Sequence, residues 1–453
     1  MQKLFDEVNS LDIRCYEKFF LNEDILMEHA ANGIAAYIRK KFPLKFKILI
    51  VCGSGNNGAD GIASARLLHK DYDTTLLYIK NPKSKMALLQ EKRANAIEVK
   101  TSKEIIECDV VVDAIVGTGF KGEFDSNIQN TIKKMNSLNA FKIACDVPSL
   151  GFVADTTLTM GALKKSMFLD KAKDFMGDIE LVNLGLPREI YEGKTNWNLL
   201  DSDDLKLPYR DKKNSHKGDF GHLAIASGTK SGASILSAIS AFRFGAGLVT
   251  LVGLNNLMIP HSIMHSNHIP SNASALALGM GLGDAFSEKE LKDFLDNDLA
   301  LICDADIFAM PIITTLLKRE RVVLTPHPKE FTILLKQTKI ADISVEELQM
   351  NRFKYVELFT QKYPKITLLL KGANVIIAKD EQFFINPHGT QSLAKGGSGD
   401  VLSGLVGALL AQGYSDLESA IQASLTHTQL AQNYKGTDFS LTPDDLIKEI
   451  GNL

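Results

Sequence analysis

The stretch Ile48-Leu49-Ile50-Val51-Cys52-Gly53-Ser54-Gly55-Asn56-Asn57-Gly58-Ala59-Asp60-Gly61 opens as an apolar, β-branched run and closes as a glycine-rich segment. Apolar residues then follow at Ile62, Ala65, Leu67 and Leu68, which reads as a helix. Strand, glycine segment, helix is the unit from which parallel sheets are built. In such a unit the glycines also let backbone N–H groups approach an anion at the helix N-terminus. A tight strand-to-helix turn requires only the glycines. Asn56, Asn57 and Asp60 add oxygen ligands that such a turn does not need.

Comparable runs recur along the chain at 46–52, 110–116, 142–147, 222–226, 299–303, 321–325 and 366–370, with helical stretches between them. The alternation predicts an α/β fold with largely parallel sheets. Most of the runs stop at Gly, Asp, Pro or Ser, and the carboxyl ends of strands are where open α/β sheets place ligands. The chain has 453 residues, more than the roughly 250–300 at which one hydrophobic core stops growing, so two domains are expected. A charged, proline-containing segment separates them: Asp201-Ser202-Asp203-Asp204, then Pro208-Tyr209-Arg210-Asp211-Lys212-Lys213-Asn214. The expected domains are therefore residues 1–204 and 205–453.

Apolar residues make up 45% and charged residues 23% of the chain, the composition of a globular protein. Lys and Arg total 51 against 54 Asp and Glu. That balance supplies no general attraction to nucleic acid or to an anionic membrane, so any phosphate binding is local. The cysteines Cys15, Cys52, Cys108, Cys145 and Cys303 are scattered, which fits neither a disulfide framework nor a zinc site. With no signal-peptide pattern at residues 1–14 and no apolar run of membrane-spanning length, a cytoplasmic protein is expected. His261, His265 and His268 have spacings reminiscent of metal ligands, but Pro260 and Pro270 favour a loop there. Lys83, Lys85, Lys92, Lys164 and Lys165 read mostly as solvated faces.

Two later strand ends resemble the first: Asp113-Ala114-Ile115-Val116-Gly117-Thr118-Gly119-Phe120-Lys121-Gly122 and Asp146-Val147-Pro148-Ser149. Three such ends can share one cleft. A carboxylate buried in it needs a proton or a cation as partner, and a monovalent cation suits the donors.

The C-terminal half carries a second glycine segment, Lys395-Gly396-Gly397-Ser398-Gly399-Asp400, leading into the apolar helix 401–410. Successive glycines put N–H groups around a phosphate, and the helix dipole favours its charge. A carboxylate beside an anion is unfavourable unless it has chemical work, such as taking a proton from a hydroxyl that attacks phosphorus. An N-cap role for Asp400 fits the position as well. Lys371-Gly372-Ala373-Asn374 offers an ammonium and a glycine turn after the strand 366–370. In Thr325-Pro326-His327-Pro328-Lys329-Glu330, His327 between prolines at a strand end is a poor packing residue and a candidate substrate contact. Gly279-Met280-Gly281-Leu282-Gly283 and Cys303-Asp304-Ala305-Asp306 complete the set.

Taken in order, these motifs resemble the bifunctional NAD(P)H-hydrate repair enzymes. The epimerase patterns NNGGDG, DAIFGTG and DIPSG are similar to the segments at 56–61, 113–119 and 146–149, and Leu26-Met27-Glu28-His29-Ala30 resembles that family's start. The dehydratase patterns GPGLG, DAD, TPHPGE, LKG and GGTGD appear here as GMGLG, DAD, TPHPKE, LKG and GGSGD, with His216-Lys217-Gly218, 227–233 and 244–249 also matching. The resemblance implies a Rossmann-like N-terminal domain and a ribokinase-like C-terminal domain. It implies potassium held by Asn57, Asp113 and Ser149, and a hydrated NADH or NADPH lying along Asn56, Asn57, Gly58, Ala59, Asp60, Gly117, Thr118, Gly119, Phe120, Lys121, Gly122, Glu123 and Asp146. Asp146 is then the acid–base residue of epimerisation.

In the second half it implies an adenine nucleotide, ADP or ATP with magnesium, at Lys371, Gly372, Ala373, Asn374, Val375 and Gly399. The hydrated nicotinamide would meet Ala246, Gly281, Gly283, His327 and Asp400, with Asp400 deprotonating the substrate hydroxyl. A homo-oligomer is expected, with neither nucleic acid nor membrane as partner. Three positions depart from the family pattern: Ala59 for glycine, Leu150 for glycine and Leu163 for proline. Leu150 and Leu163 are expected to reshape the pocket wall. They motivate a competing reading, a ribokinase-like small-molecule kinase with a non-catalytic N-terminal binding domain.

Overall fold

In the computed structural model, which describes residues 1–119, 125–253 and 259–453, the run at 46–52 forms the strand Lys47–Cys52 in the interior of a parallel sheet. The sheet order is Lys100–Ser102, Asp73–Tyr78, Lys47–Cys52, Val110–Ala114, Phe141–Cys145, Thr156–Met160, Asp178–Val182. The interior strands are covered on both faces, which is why they read as continuous apolar runs rather than as alternation. From Lys47–Cys52 the chain moves outward to Asp73–Tyr78 and Lys100–Ser102, then returns to Val110–Ala114 on the other side. The strand order therefore reverses between Lys47–Cys52 and Val110–Ala114, the position where open α/β sheets form their ligand crevice.

The helix after the first strand is Asn56–Leu68, not a helix starting near Ile62 after a loop through Gly61. Only 53–55 forms the turn, because Gly58 and Gly61 serve close packing. A Cβ on Gly58 would lie 2.1 Å from the Gly53 carbonyl oxygen, and one on Gly61 would lie 2.6 Å from the Ala114 Cβ. Ala59 is helical and points into a small apolar cluster with Met27, Met86 and Ala87, so its methyl group fills space away from the crevice.

The second unit is built on a sheet of order Met264–Ser266, Leu248–Gly253, His222–Ser227, Ala275–Leu278, Ala300–Cys303, Val322–Leu324, Ile366–Leu370, Val375–Lys379, Gln382–Asn386, Trp197–Leu199. Pairing is parallel up to Ile366–Leu370 and antiparallel through the two hairpins that follow. The segment around His265, read as a loop, thus contains the short edge strand Met264–Ser266. Against this sheet packs Ser398–Ala411, an apolar helix buried almost all round. Gly404 lets the helix Ser231–Arg243 approach it, since a Cβ there would lie 2.3 Å from the Ser237 carbonyl oxygen. Ser237 Oγ and Ser240 Oγ donate to the Asp400 and Val401 carbonyls at 2.8 and 2.9 Å, fastening the first turn of Ser398–Ala411.

The two compact units are residues 3–195, and residues 1–2 with 196–453. Residues 196–204, assigned to the first domain by charge pattern, pack with the second unit. Trp197 stacks on Phe383 with ring centroids 4.6 Å apart and donates to Glu357 at 2.7 Å. The acidic run 201–204 is a short 3₁₀ turn closed by a capping box between Asp201 and Asp204. A buried tryptophan outweighs a solvated charge run in deciding where a domain begins. Among the described residues no helix is long and apolar enough to cross a membrane.

Candidate functional site

In the first unit the carboxyl ends of Lys47–Cys52, Val110–Ala114 and Phe141–Cys145 open on a cavity of about 500 Å3. Asn56, Asn57, Asp60, Gly117, Thr118, Gly119 and Asp146 line it. Gly58 and Ala59, in the same predicted set, pack inward and do not line it. Phe120, Lys121, Gly122 and Glu123 lie outside the described residues. Leu150 is 69% exposed, and Leu163 is buried in a short strand paired with Leu4; neither lines the cavity, contrary to the expectation that they reshape its wall.

Asp146 is held in the left-handed region at φ 69, uncommon for a residue with a side chain but tolerated best by Asn and Asp. Its Oδ1 pairs with Lys164 Nζ at 2.5 Å and its Oδ2 accepts from the Thr118 amide and hydroxyl, both at 3.3 Å. Lys164 is fully buried and also donates to Thr159 Oγ1 and the Met160 carbonyl, so it is no solvated lysine. Lys165 is buried too, correcting the same expectation. Burial alone would push the Asp146 carboxyl up, but the Lys164 ammonium overrides it and holds the group below the ordinary carboxylate range. Among the described residues Asp60 has no such partner, and burial, with Asp146 and Asp12 nearby, drives it well above that range. Lys164 was missed because nothing in the alternation around it marks a lysine that folds inward.

Asp113 is fully buried. Its Oδ1 accepts from Ser149 Oγ at 2.7 Å and from the Ile115 amide at 3.1 Å, and its Oδ2 accepts from the Ser149 amide at 2.6 Å. Burial pushes it to about 6 despite these donors. Asn57 is buried with neither its Oδ1 nor its Nδ2 satisfied. An orphaned amide oxygen in a cavity wall fits a missing cation or donor, and its orphaned N–H group fits a ligand acceptor.

In the second unit the predicted segments meet at the N-terminus of Ser398–Ala411. Gly397, at φ 90, is the N-cap, which places Asp400 in the first turn without a capping bond. The capping explanation of Asp400 is thereby removed. Lys371 Nζ pairs with Asp304 Oδ1 at 2.6 Å, and Ser403 Oγ donates to Asp304 Oδ2 at 2.7 Å. A Cβ on Gly399 would sit 3.2 Å from Lys371 Nζ, so the glycine keeps the ammonium against the helix start. Burial first, then the neighbouring Asp304 and Asp306 carboxylates, raise Asp400 to about 6, with Lys371 pulling the other way. Asp306 Oδ2 accepts from the Gly283 amide at 2.9 Å, which ties the GMGLG segment to the same cluster. Gly281 and Gly283 both have positive φ, and a Cβ at either would strike the turn at Thr229-Lys230.

His327 has a structural duty the sequence did not suggest. It caps the helix Pro328–Gln337, its Nδ1 accepting from the Glu330 amide at 3.2 Å while Glu330 Oε2 accepts from the His327 amide at 2.8 Å. Half of its side chain stays exposed, and burial with the nearby Lys371 lowers its pKa, so it faces the cluster as a neutral ring. Ser398 Oγ is bonded at 3.1 Å to Nε2 of buried His427, whose pKa burial lowers to about 4; sequence reading passed over this residue because its helix reads as ordinary core. Gly372, Ala373 and Asn374 form the tight turn between the antiparallel strands Ile366–Leu370 and Val375–Lys379, beside Lys371, and Val375 opens the second strand.

Ala246 is not brought to this cluster. It is buried among apolar residues after the helix Ser231–Arg243, and its neighbour Gly245 faces Gln412 at the far end of Ser398–Ala411. That helix has 14 residues, about 21 Å at 1.5 Å per residue, so Ala246 and Asp400 stand at opposite ends of it.

A family model described as the YjeF-related protein N-terminus matches residues 23–166, and one described as NAD(P)H-hydrate dehydratase matches residues 223–452. The bifunctional NAD(P)H-hydrate repair enzyme Nnr of Helicobacter pylori is 42% identical over 476 residues, covering 100% of both chains. The enzyme of that name from Escherichia coli is 30% identical, covering 89% of this chain and 83% of its own. A solved structure of the ADP/ATP-dependent NAD(P)H-hydrate dehydratase from Bacillus subtilis, co-crystallised with ATP and Mg2+, superposes with a TM-score of 0.50 at 25% identity. The match covers 57% of this chain and 98% of that one.

Proposed function

The chain belongs to the bifunctional NAD(P)H-hydrate repair enzymes, and from that membership we propose how its two units divide the work. The protein repairs hydrated NADH and NADPH. The N-terminal domain interconverts the R and S hydrates, and the C-terminal domain dehydrates the S hydrate at the expense of ADP, releasing AMP and phosphate.

The observation that carries the dehydratase assignment is Asp400, raised to about 6 at the first turn of a buried helix, beside an ammonium already paired to Asp304. Asp400 takes the proton of the substrate's ring hydroxyl as that oxygen attacks the β-phosphorus of ADP, and AMP departs. The ring nitrogen lone pair then expels phosphate, and loss of the neighbouring ring proton restores the dihydronicotinamide. Lys371, the turn 372–374 and Val375 hold the nucleotide, with Gly399 leaving room for the phosphate chain. Gly281, Gly283 and His327 border the substrate. Magnesium, when bound, would come with the nucleotide phosphates and would neutralise their charge.

In the first domain Asp146, ionised through Lys164, is the base of epimerisation, and Asn56, Asn57, Asp60, Gly117, Thr118 and Gly119 border the substrate. Asn57, Asp113 and Ser149 would hold potassium, a reading supported by the orphaned Asn57 oxygen. The ion would supply positive charge to a buried carboxylate. The five thiols, all buried and free, support a reducing, cytoplasmic setting.

The test is to incubate the full chain with both NADH hydrates, with and without ADP, and follow the dihydronicotinamide absorbance and the released AMP. Asp400→Asn should abolish dehydration while nucleotide binding persists, and near-normal turnover would overturn the role. A stable phosphorylated product in place of AMP, phosphate and NADH would point instead to a kinase.

A further inference from the structure

The first cavity holds a second reachable carboxyl that the proposed epimerase reading leaves without a task. Asp12, on the helix Asn9–Lys18, lines the cavity together with Asp146. Its Oδ1 accepts from Tyr191 Oη at 2.7 Å. Tyr191 reaches it across Gly161, whose positive φ and missing side chain make the crossing possible, since a Cβ there would lie 2.4 Å from the phenol oxygen. Gly161 adjoins Met160, whose amide donates to Asp146 Oδ1 and whose carbonyl accepts from Lys164. Asp12–Tyr191 and Asp146–Lys164 are therefore fastened to the same turn.

Epimerisation at the hydrated carbon needs two proton carriers. When the ring nitrogen lone pair expels the hydroxyl, the departing oxygen must gain a proton to leave as water. When water adds to the opposite face of the iminium, it must lose one. The two carboxyls differ as such a pair should. Asp146 has an ammonium partner that keeps it ionised. Asp12 has no ion pair among the described residues; burial raises it, while the Tyr191 hydrogen bond and the Lys164 charge moderate the rise.

We propose that Asp12, positioned by Tyr191, is the proton donor of the epimerase cavity: it protonates the leaving hydroxyl while Asp146 accepts the proton of the incoming water, and the roles reverse in the other direction. This rests on the epimerase reading. Asp12 is preferred to Asp60 because Tyr191 aims its carboxyl, whereas no donor to the Asp60 carboxyl is found among the described residues, and because Asp12 is partly open to solvent. The groups that bear on Asp12 are Tyr191, Lys164, Asp146, Asp60, Glu7, Cys15 and Tyr16.

The experiment compares the full-length wild type with Asp12→Asn, Tyr191→Phe and Asp60→Asn, separating the R and S hydrates chromatographically across pH. Asn at position 12 keeps the oxygen that accepts from Tyr191, so the turn is preserved. The expected result is a kcat about 100-fold lower for Asp12→Asn, KM within twofold of wild type, and loss of the alkaline limb of the kcat profile. Tyr191→Phe should move that limb to higher pH, because it removes a bond that favours the ionised form. Unchanged kcat and limb in Asp12→Asn, or loss of the limb in Asp60→Asn instead, overturns the proposal. Absence of exchange in the wild type overturns the epimerase reading itself, a separate outcome.

Discussion

Asp146, buried, and Asp400, half-buried, are both aspartates at the carboxyl end of a largely parallel sheet, yet the protein sets them to opposite sides of the ordinary carboxylate value. In the first unit the buried ammonium belongs to the aspartate itself: Lys164 sits 2.5 Å from Asp146 and holds it ionised. In the second unit the ammonium is committed elsewhere: Lys371 sits 2.6 Å from Asp304, and Asp400 feels two further carboxylates as well as burial. Burial raises both groups, and ownership of the nearest cation decides which of them is brought back below the ordinary value.

The comparison breaks most visibly if Lys164 is removed. Lys164→Met should lower hydrate exchange by at least about 100-fold and move the remaining activity to higher pH, because Asp146 then titrates upward. ADP-dependent dehydration by the same protein serves as the internal control. A smaller effect is expected on acidifying the wild type. A base must be ionised, and Asp400 ionises near 6, so kcat for dehydration should be flat above that pH and fall as pH drops through it, about tenfold per unit below. A profile flat down to pH 4.5 would remove Asp400 as the base. Asp306→Asn, which keeps an acceptor for the Gly283 amide and deletes one repelling charge, should shift this acid limb to lower pH with kcat on the plateau within about threefold. Leu150→Gly, at an exposed site outside the cavity, should leave exchange within about twofold, and a larger change in KM would return Leu150 to the pocket wall.

The sheets were legible in the sequence because interior parallel strands are apolar throughout, and the runs at 46–52, 222–226 and 366–370 became strands nearly residue for residue. The glycine segments were legible as sites, though not as geometry. Asn56 and Asn57 start a helix because Gly58 and Gly61 are packing glycines, and spacing alone does not separate a packing glycine from a phosphate-binding one. The buried side chains that back the two sites were not legible. Lys164 and His427 act through distances fixed by tertiary packing, and in a linear reading they look like a surface lysine and a core histidine. The boundary moved from 205 to 195/196 for a similar reason: one tryptophan on a strand outweighs a run of charges.

The near-complete burial of Ser398–Ala411 sets a timescale as well as a position. Amides on a helix buried almost all round exchange with solvent through opening of the packing around it rather than by local fraying. The carboxyl proposed as the base of dehydration is therefore mounted on backbone that opens rarely. Its aim is set by folding rather than by loop closure, since Ser237 holds the Asp400 carbonyl from the neighbouring helix.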